Sequence, residues 1–157
     1  MSSTEATPEG GSPSIEIEEV LARIPHRHPF VLVDRAVDYV AFKSIRGIKA
    51  VTYNEPFFPG HFPGAPVMPG VLMIEAMGQT GAVLMSKSLE VDATKNTILF
   101  MGIDNARFRR PVRPGELIEM PVEVMFYRRN IFKFKGRCEV NGELAAEAEF
   151  AAMKVER

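Results

Sequence analysis

A histidine in a loop that can hardly bend and a glutamate in a helix that should hardly tolerate it stand fourteen positions apart in this 157-residue chain. His61 lies within Phe57-Phe58-Pro59-Gly60-His61-Phe62-Pro63-Gly64-Ala65-Pro66-Val67-Met68-Pro69-Gly70. Pro fixes φ there and Gly admits unusual values, so the backbone holds a shape without regular secondary structure. Glu75 is the one charged side chain between Gly70 and Ser86, a stretch that reads as a single helix opening just after a Pro. Leu72, Met73, Ile74, Met77, Val83, Leu84 and Met85 cover every face of it, which predicts a helix wrapped by other structure. A lone carboxylate in that setting is costly unless protonated, paired or used. Taken separately, Glu75 is as well explained by a neighbouring donor, and His61 by a backbone hydrogen bond. Together they are a base and an acid beside a helix N-terminus whose free N–H groups, that of Gly70 first, can hold a developing oxyanion. Such a set can remove a proton next to a carbonyl and expel a hydroxyl.

His61-Phe62-Pro63-Gly64-Ala65-Pro66-Val67-Met68-Pro69-Gly70-Val71-Leu72, followed by Glu75-Ala76-Met77-Gly78-Gln79, resembles the signature of the (3R)-hydroxyacyl-[acyl-carrier-protein] dehydratases of bacterial-type fatty acid synthesis. Ile24-Pro25-His26-Arg27-His28-Pro29-Phe30-Val31-Leu32-Val33-Asp34-Arg35 and Ala106-Arg107-Phe108-Arg109-Arg110-Pro111-Val112 are similar to further segments of that family, so the likeness runs from about residue 15 to 154. It implies a hot-dog fold, a homodimer joined sheet edge to sheet edge, and often a trimer of such dimers. It also implies a 3-hydroxyacyl chain on the phosphopantetheine arm of acyl carrier protein as substrate, with no other cofactor.

On that reading His61, walled by Phe57, Phe58 and Phe62, is expected to be held neutral and to accept the C2 proton. Glu75 is expected to stay protonated and to donate to the departing 3-hydroxyl. The Gly70 N–H faces the thioester oxygen. The resemblance further implies that the Val67 carbonyl fixes the His61 ring, that Phe62 and Gln79 belong to the substrate-binding set, and that His61 works with Glu75 of the other subunit. Arg109 and Arg110 become candidates for docking the carrier. Two residues depart from the family pattern: His28 stands where an aromatic is common, and Gly78 replaces a more usual Ala. A mid-helix Gly costs up to about 1 kcal/mol, so Gly78 and Gly81 point to a close approach by backbone or substrate. The nearest rival reactions are a bifunctional dehydratase/isomerase, whose acid is usually Asp, and a hot-dog thioesterase. A non-catalytic acyl-binding scaffold is disfavoured by the presence of both His61 and Glu75.

Length and composition agree with one globular domain over residues 15 to 157, with 46% hydrophobic and 25% charged residues. One cysteine, Cys138, excludes an internal disulfide and fits a reducing compartment. Three histidines and that cysteine show no metal-ligand spacing. The N-terminus lacks a secretory pattern, and the long uncharged run from Pro56 to Ile74 carries five prolines, which exclude a membrane span. The expected location is the cytoplasm, or an organelle stroma after trimming. A net charge of −1 argues against nucleic acid. Nine basic residues against three acidic ones between 107 and 137 form either an acidic partner's docking patch or the solvated faces of strands.

The elements that must position this chemistry follow from pattern. Residues 1 to 14 read as a disordered tail. A short helix capped by Ser14 is expected to end at Pro25, and strands are expected over Phe30–Phe42 and Ser44–Tyr53, with Gly47 marking a bulge. After the central helix and a polar link over Glu90–Asn96, Thr97–Phe108 reads as a largely buried strand. Arg113-Pro114-Gly115-Glu116 has type II turn chemistry. Leu117–Tyr127 and Ile131–Val140 are strands, the second with strict alternation, and Arg129-Asn130 is a turn. Glu143–Met153 has helical composition but alternating pattern, and the preceding Asn141-Gly142 hairpin signal decides for strand. The sum is α+β: an antiparallel sheet curled around one long apolar helix.

Overall fold

The computed structural model describes residues 12–157. Of the expected tail, residues 1 to 11 lie outside the described residues, while Ser12 donates its hydroxyl to the Tyr39 carbonyl at 3.1 Å. The elements are α1 (Ile17–Arg23), β1 (Arg35–Val40), β2 (Ser44–Ala50), α2 (Gly70–Leu89), β3 (Asn96–Phe108), β4 (Leu117–Arg128), β5 (Ile131–Val140) and β6 (Glu143–Glu156). All six strands form one antiparallel sheet in the order β1-β2-β4-β5-β6-β3. This is the expected α+β hot-dog architecture, with α2 as the apolar filling.

Pattern and packing agree best in the second half of the chain. On β5, Phe132, Phe134, Cys138 and Val140 are buried while their neighbours in sequence face outward. Asn141 and Gly142 both take positive φ, 49° and 79°, as a two-residue hairpin demands, and β6 follows as a strand. Phe134 stacks on Phe150 with centroids 5.3 Å apart beneath α2, whose Met77, Val83, Leu84 and Met85 are fully buried. Burying a side chain of that size contributes about 1.5–3 kcal/mol. Burial also pushes the Cys138 thiol up to about 12, which leaves it a packing group rather than a nucleophile.

The first half departs from pattern at the entry to α1, at the start of β1 and at Gly47. Ile15 is not helical: it exchanges two 2.8 Å backbone hydrogen bonds with Ala36, and α1 starts two residues later. Ser14 bonds to the Glu16 carboxylate instead of capping the helix. Strand β1 begins at Arg35 rather than Phe30, because the Phe30 and Val31 N–H groups turn back onto the Arg27 carbonyl between two prolines that lack donors. Gly47 is not a bulge, since the β2–β4 register is unbroken from Ser44 to Ala50. A Cβ at Gly47 would lie 2.3 Å from the Thr80 hydroxyl on α2, so the missing side chain lets helix and sheet touch. Gly78 does the same for the Phe100 ring of β3, 2.2 Å from where a Cβ would stand. The close approach at Gly78 and Gly81 is thus made by the Phe100 and Phe134 rings, not by backbone or substrate as expected.

Strand β3, in the second half, departs from the expected burial as well. It occupies the edge of the sheet, and Leu99, Met101, Ile103 and Phe108 are exposed there. The peptides His28–Pro29 and His61–Phe62 are cis.

Candidate active site

The turn that carries His61 is anchored from below. Lys49, at the end of β2 and only 5% exposed, pairs with Glu55, and the chain then winds into a single 3-10 turn at Phe58–Gly60. The Phe58 ring, packed 4.6 Å from Phe57 by centroids, is buried. Removing one member of a buried pair leaves the other charge unanswered, typically a loss of about 3–5 kcal/mol. Lys49→Met is therefore expected to lower the urea midpoint sharply, and Lys49→Met/Glu55→Leu to recover much of it.

His61 follows that turn. Its Nδ1 lies 2.6 Å from the Val67 carbonyl, and the Val67 N–H returns to the His61 carbonyl at 2.9 Å. A carbonyl only accepts, so Nδ1 carries the proton and the neutral ring keeps its lone pair on Nε2. Phe62 stacks on the imidazole at 4.0 Å. The ring opens into a cleft of about 480 Å³ shared with Gly70, Val71, Met73 and Phe108. Pro69 precedes α2 without any side-chain cap; the Leu72 and Met73 N–H groups turn back onto its carbonyl at 3.0 and 3.4 Å, while those of Gly70 and Val71, both lining this cleft, stand at the start of the helix where no intrahelical partner exists. A lone-pair nitrogen and a helix-end donor thus share one apolar hollow.

Glu75 opens elsewhere. One turn into α2, it lines a small cavity of about 30 Å³ with His26, Gln79, Phe100 and Ala152. Burial raises its carboxyl above the usual range, partly offset by the hydrogen bond from Gln79. Its Oε1 accepts from Gln79 Nε2 at 3.0 Å and lies 3.6 Å from His26 Nε2. Gln79, expected to bind substrate, has its amide wholly engaged: it also donates to the Phe30 carbonyl at 2.8 Å and accepts from the Leu32 N–H at 2.7 Å. It clamps the β1 approach onto α2, and its contact with the chemistry runs through Glu75.

A raised glutamate pKa stabilises the fold fully below the ordinary carboxylate value, and that contribution is lost as pH rises through the raised one. Glu75→Gln is accordingly expected to be more stable than the parent at pH 8 and level with it below pH about 4.3. Urea melts at fixed protein concentration across that range check it.

His61 and Glu75 thus face separate cavities within one protomer. Arg109 and Arg110 flank the His61 cleft. Arg110 is already held by Glu116 at 2.6 Å and Glu143 at 3.0 Å, and Arg109 by Glu147 at 2.8 Å. Any acidic partner must compete with these carboxylates, more so at Arg110, where two converge. Sequence reading assigned no role to His26 or to the Lys49–Glu55 pair. Nothing in spacing links His26 to a glutamate 49 positions away, whereas a lysine on an inward strand position was a readable signal.

The chain matches the FabA-like domain over residues 24–149. It is 70% identical over 142 residues to a 3-hydroxyacyl-[acyl-carrier-protein] dehydratase FabZ of Caulobacter vibrioides (strain NA1000 / CB15N), covering 90% of this chain and 89% of that one. It is 55% identical over 140 residues to the protein of the same name from Cereibacter sphaeroides (strain ATCC 17025 / ATH 2.4.3), covering 89% and 90%. Among solved structures, the dehydratase heterocomplex ApeI:P from Xenorhabdus doucetiae superposes with a TM-score of 0.74 at 17% identity over 87% of this chain and 90% of that one, a likeness of fold.

Proposed function

This chain belongs to the FabA-like domain family, and from that premise we propose that it is a hydro-lyase converting (3R)-3-hydroxyacyl-[acyl-carrier-protein] to the trans-2-enoyl thioester in fatty acid biosynthesis. The observation that carries the site assignment is the 2.6 Å contact of His61 Nδ1 with the Val67 carbonyl, which leaves Nε2 a base beside the uncapped end of α2. His61 takes the C2 proton while the Gly70 N–H holds the thioester oxygen, Val67 orients the ring, and Phe62 and the apolar cleft seat the chain. Glu75, whose protonated form burial favours, gives its proton to the 3-hydroxyl, which leaves as water. Gln79 steadies that carboxyl.

Separate cavities for base and acid fit a site completed between two protomers. Strand β3, a long edge with exposed Leu99, Met101 and Ile103, is the surface that would join them, since unpaired apolar edges seek a partner. Three such dimers make the larger assembly. The protein works in the cytoplasm, the acyl group arrives on the phosphopantetheine arm of acyl carrier protein with no further cofactor, and Arg109 is the stronger docking candidate. Among the described residues no helix is long and apolar enough to cross a membrane.

Mixing inactive variants tests the shared site. Co-refolded His61→Ala and Glu75→Gln chains pair at random, half as heterodimers, each with one intact His61–Glu75 set. Crotonyl-thioester hydration should return to about a quarter of the parent rate. A mixture as inactive as its parts would confine the reaction to one protomer. Following wild-type product as trans-2-enoyl, cis-3-enoyl or free thiol excludes or restores the isomerase and thioesterase readings.

A further inference from the structure

His26 sits in the segment between α1 and β1 yet projects into the Glu75 cavity, with its side chain 22% exposed and its Nε2 3.6 Å from Glu75 Oε1. Its Nδ1 is buried and has no hydrogen-bond partner among the described residues. Burial is the largest influence at both groups, lowering His26 (with the Arg27 charge acting the same way) and raising Glu75, so each is shifted toward its uncharged form. The remaining wall offers no competing charge: Phe100 and Ala152 are apolar, and Gln79 is a neutral amide. Arg27 turns its guanidinium back onto the carbonyls of Leu21, Ile24 and His26, and Arg23, on the far side of the ring, is paired with Glu19.

These contacts divide the two oxygens of Glu75. Oε1 already accepts from Gln79, whose own orientation is fixed by the Leu32 N–H, so Oε1 is the acceptor oxygen and the acid proton belongs on Oε2. We propose that His26 is a positioning residue for Glu75: as an Nε2–H tautomer it closes on Oε1 once the acid proton has left, so that the new carboxylate is met by two donors. The inference rests on Glu75 being the acid of the proposed reaction. In that step the Oε2 proton passes to the 3-hydroxyl, the C3–O bond breaks and water departs. The C2–H electron pair becomes the second bond between C2 and C3 as His61 takes that proton. His26 keeps its own proton throughout. A buried carboxylate denied such a donor is costly, and charge-assisted hydrogen bonds are about twice as strong as neutral ones, so the donor acts chiefly after proton transfer begins.

The test compares His26→Phe, which fills the space without a donor, with His26→Gln, whose Nε2–H reaches a similar point. Dehydration of 3-hydroxybutyryl thioester is followed in the full-length protein, with near-ultraviolet circular dichroism as a check on packing. His26→Phe should lose about 10–100-fold in kcat with KM little changed, while His26→Gln should stay within about threefold. In a Glu75→Gln background His26→Phe should cost nothing more, because no carboxylate forms. Full kcat in His26→Phe overturns the inference, as does an equal loss in both backgrounds, which would make His26 a packing residue. If Glu75→Gln alone keeps the parent rate, the acid assignment itself fails, a separate result.

Discussion

His61→Ala and Glu75→Gln are each expected to slow hydration of crotonyl thioester by at least about a hundredfold, the usual worth of a positioned general acid or base. The two losses should not add. Once C2 deprotonation lacks its base, an acid waiting at C3 has little to protonate, and groups acting in one transition state show grossly non-additive effects. The pH profiles should part company as well. Activity in the parent should fall as the raised Glu75 carboxyl ionises, so Glu75→Gln should erase that basic limb while His61→Ala leaves it in place. Full activity in either variant would remove that residue from the mechanism. Because Glu75→Gln also relieves a buried ionisable group, an inactive but unfolded protein is not the expected outcome.

A comparable loss is expected from a change that touches no side-chain chemistry. Gly70 is the first residue of α2, and its amide hydrogen is the donor assigned to the thioester oxygen. Pro at this position keeps the helix, since a first-turn Pro is well tolerated and Pro69 already has the extended φ −55°, ψ 129° that the residue before a proline prefers. What Gly70→Pro removes is the N–H. Its Cβ would meet the Phe108 ring at 2.6 Å, and that ring is 55% exposed and free to swing aside. Gly70→Ala brings the same Cβ and keeps the donor, so it measures the steric part alone. Gly70→Pro should fall a further 10²–10³ below Gly70→Ala in kcat, as loss of one oxyanion donor does elsewhere. Equal rates for the two would mean the thioester oxygen is held by something else.

Read alone, the sequence determined whatever depends on near neighbours in the chain. The Pro- and Gly-rich run fixed the loop that holds His61, while the ring-to-carbonyl bond across six residues was implied by the family resemblance. Even apolarity fixed α2 as the buried helix, and Asn141-Gly142 with its flanking alternation fixed the last hairpin against the helical propensity of its Ala and Glu. Those are local rules, and local rules are legible in order. Tertiary structure alone decided what depends on residues meeting from afar. Gly47 proved to be a seat for Thr80, β3 an exposed edge, Gln79 a clamp spanning 47 residues to Leu32, and His26 the neighbour of Glu75. No spacing encodes such meetings, because they arise when a twisted sheet wraps a helix and brings unrelated segments within hydrogen-bond reach.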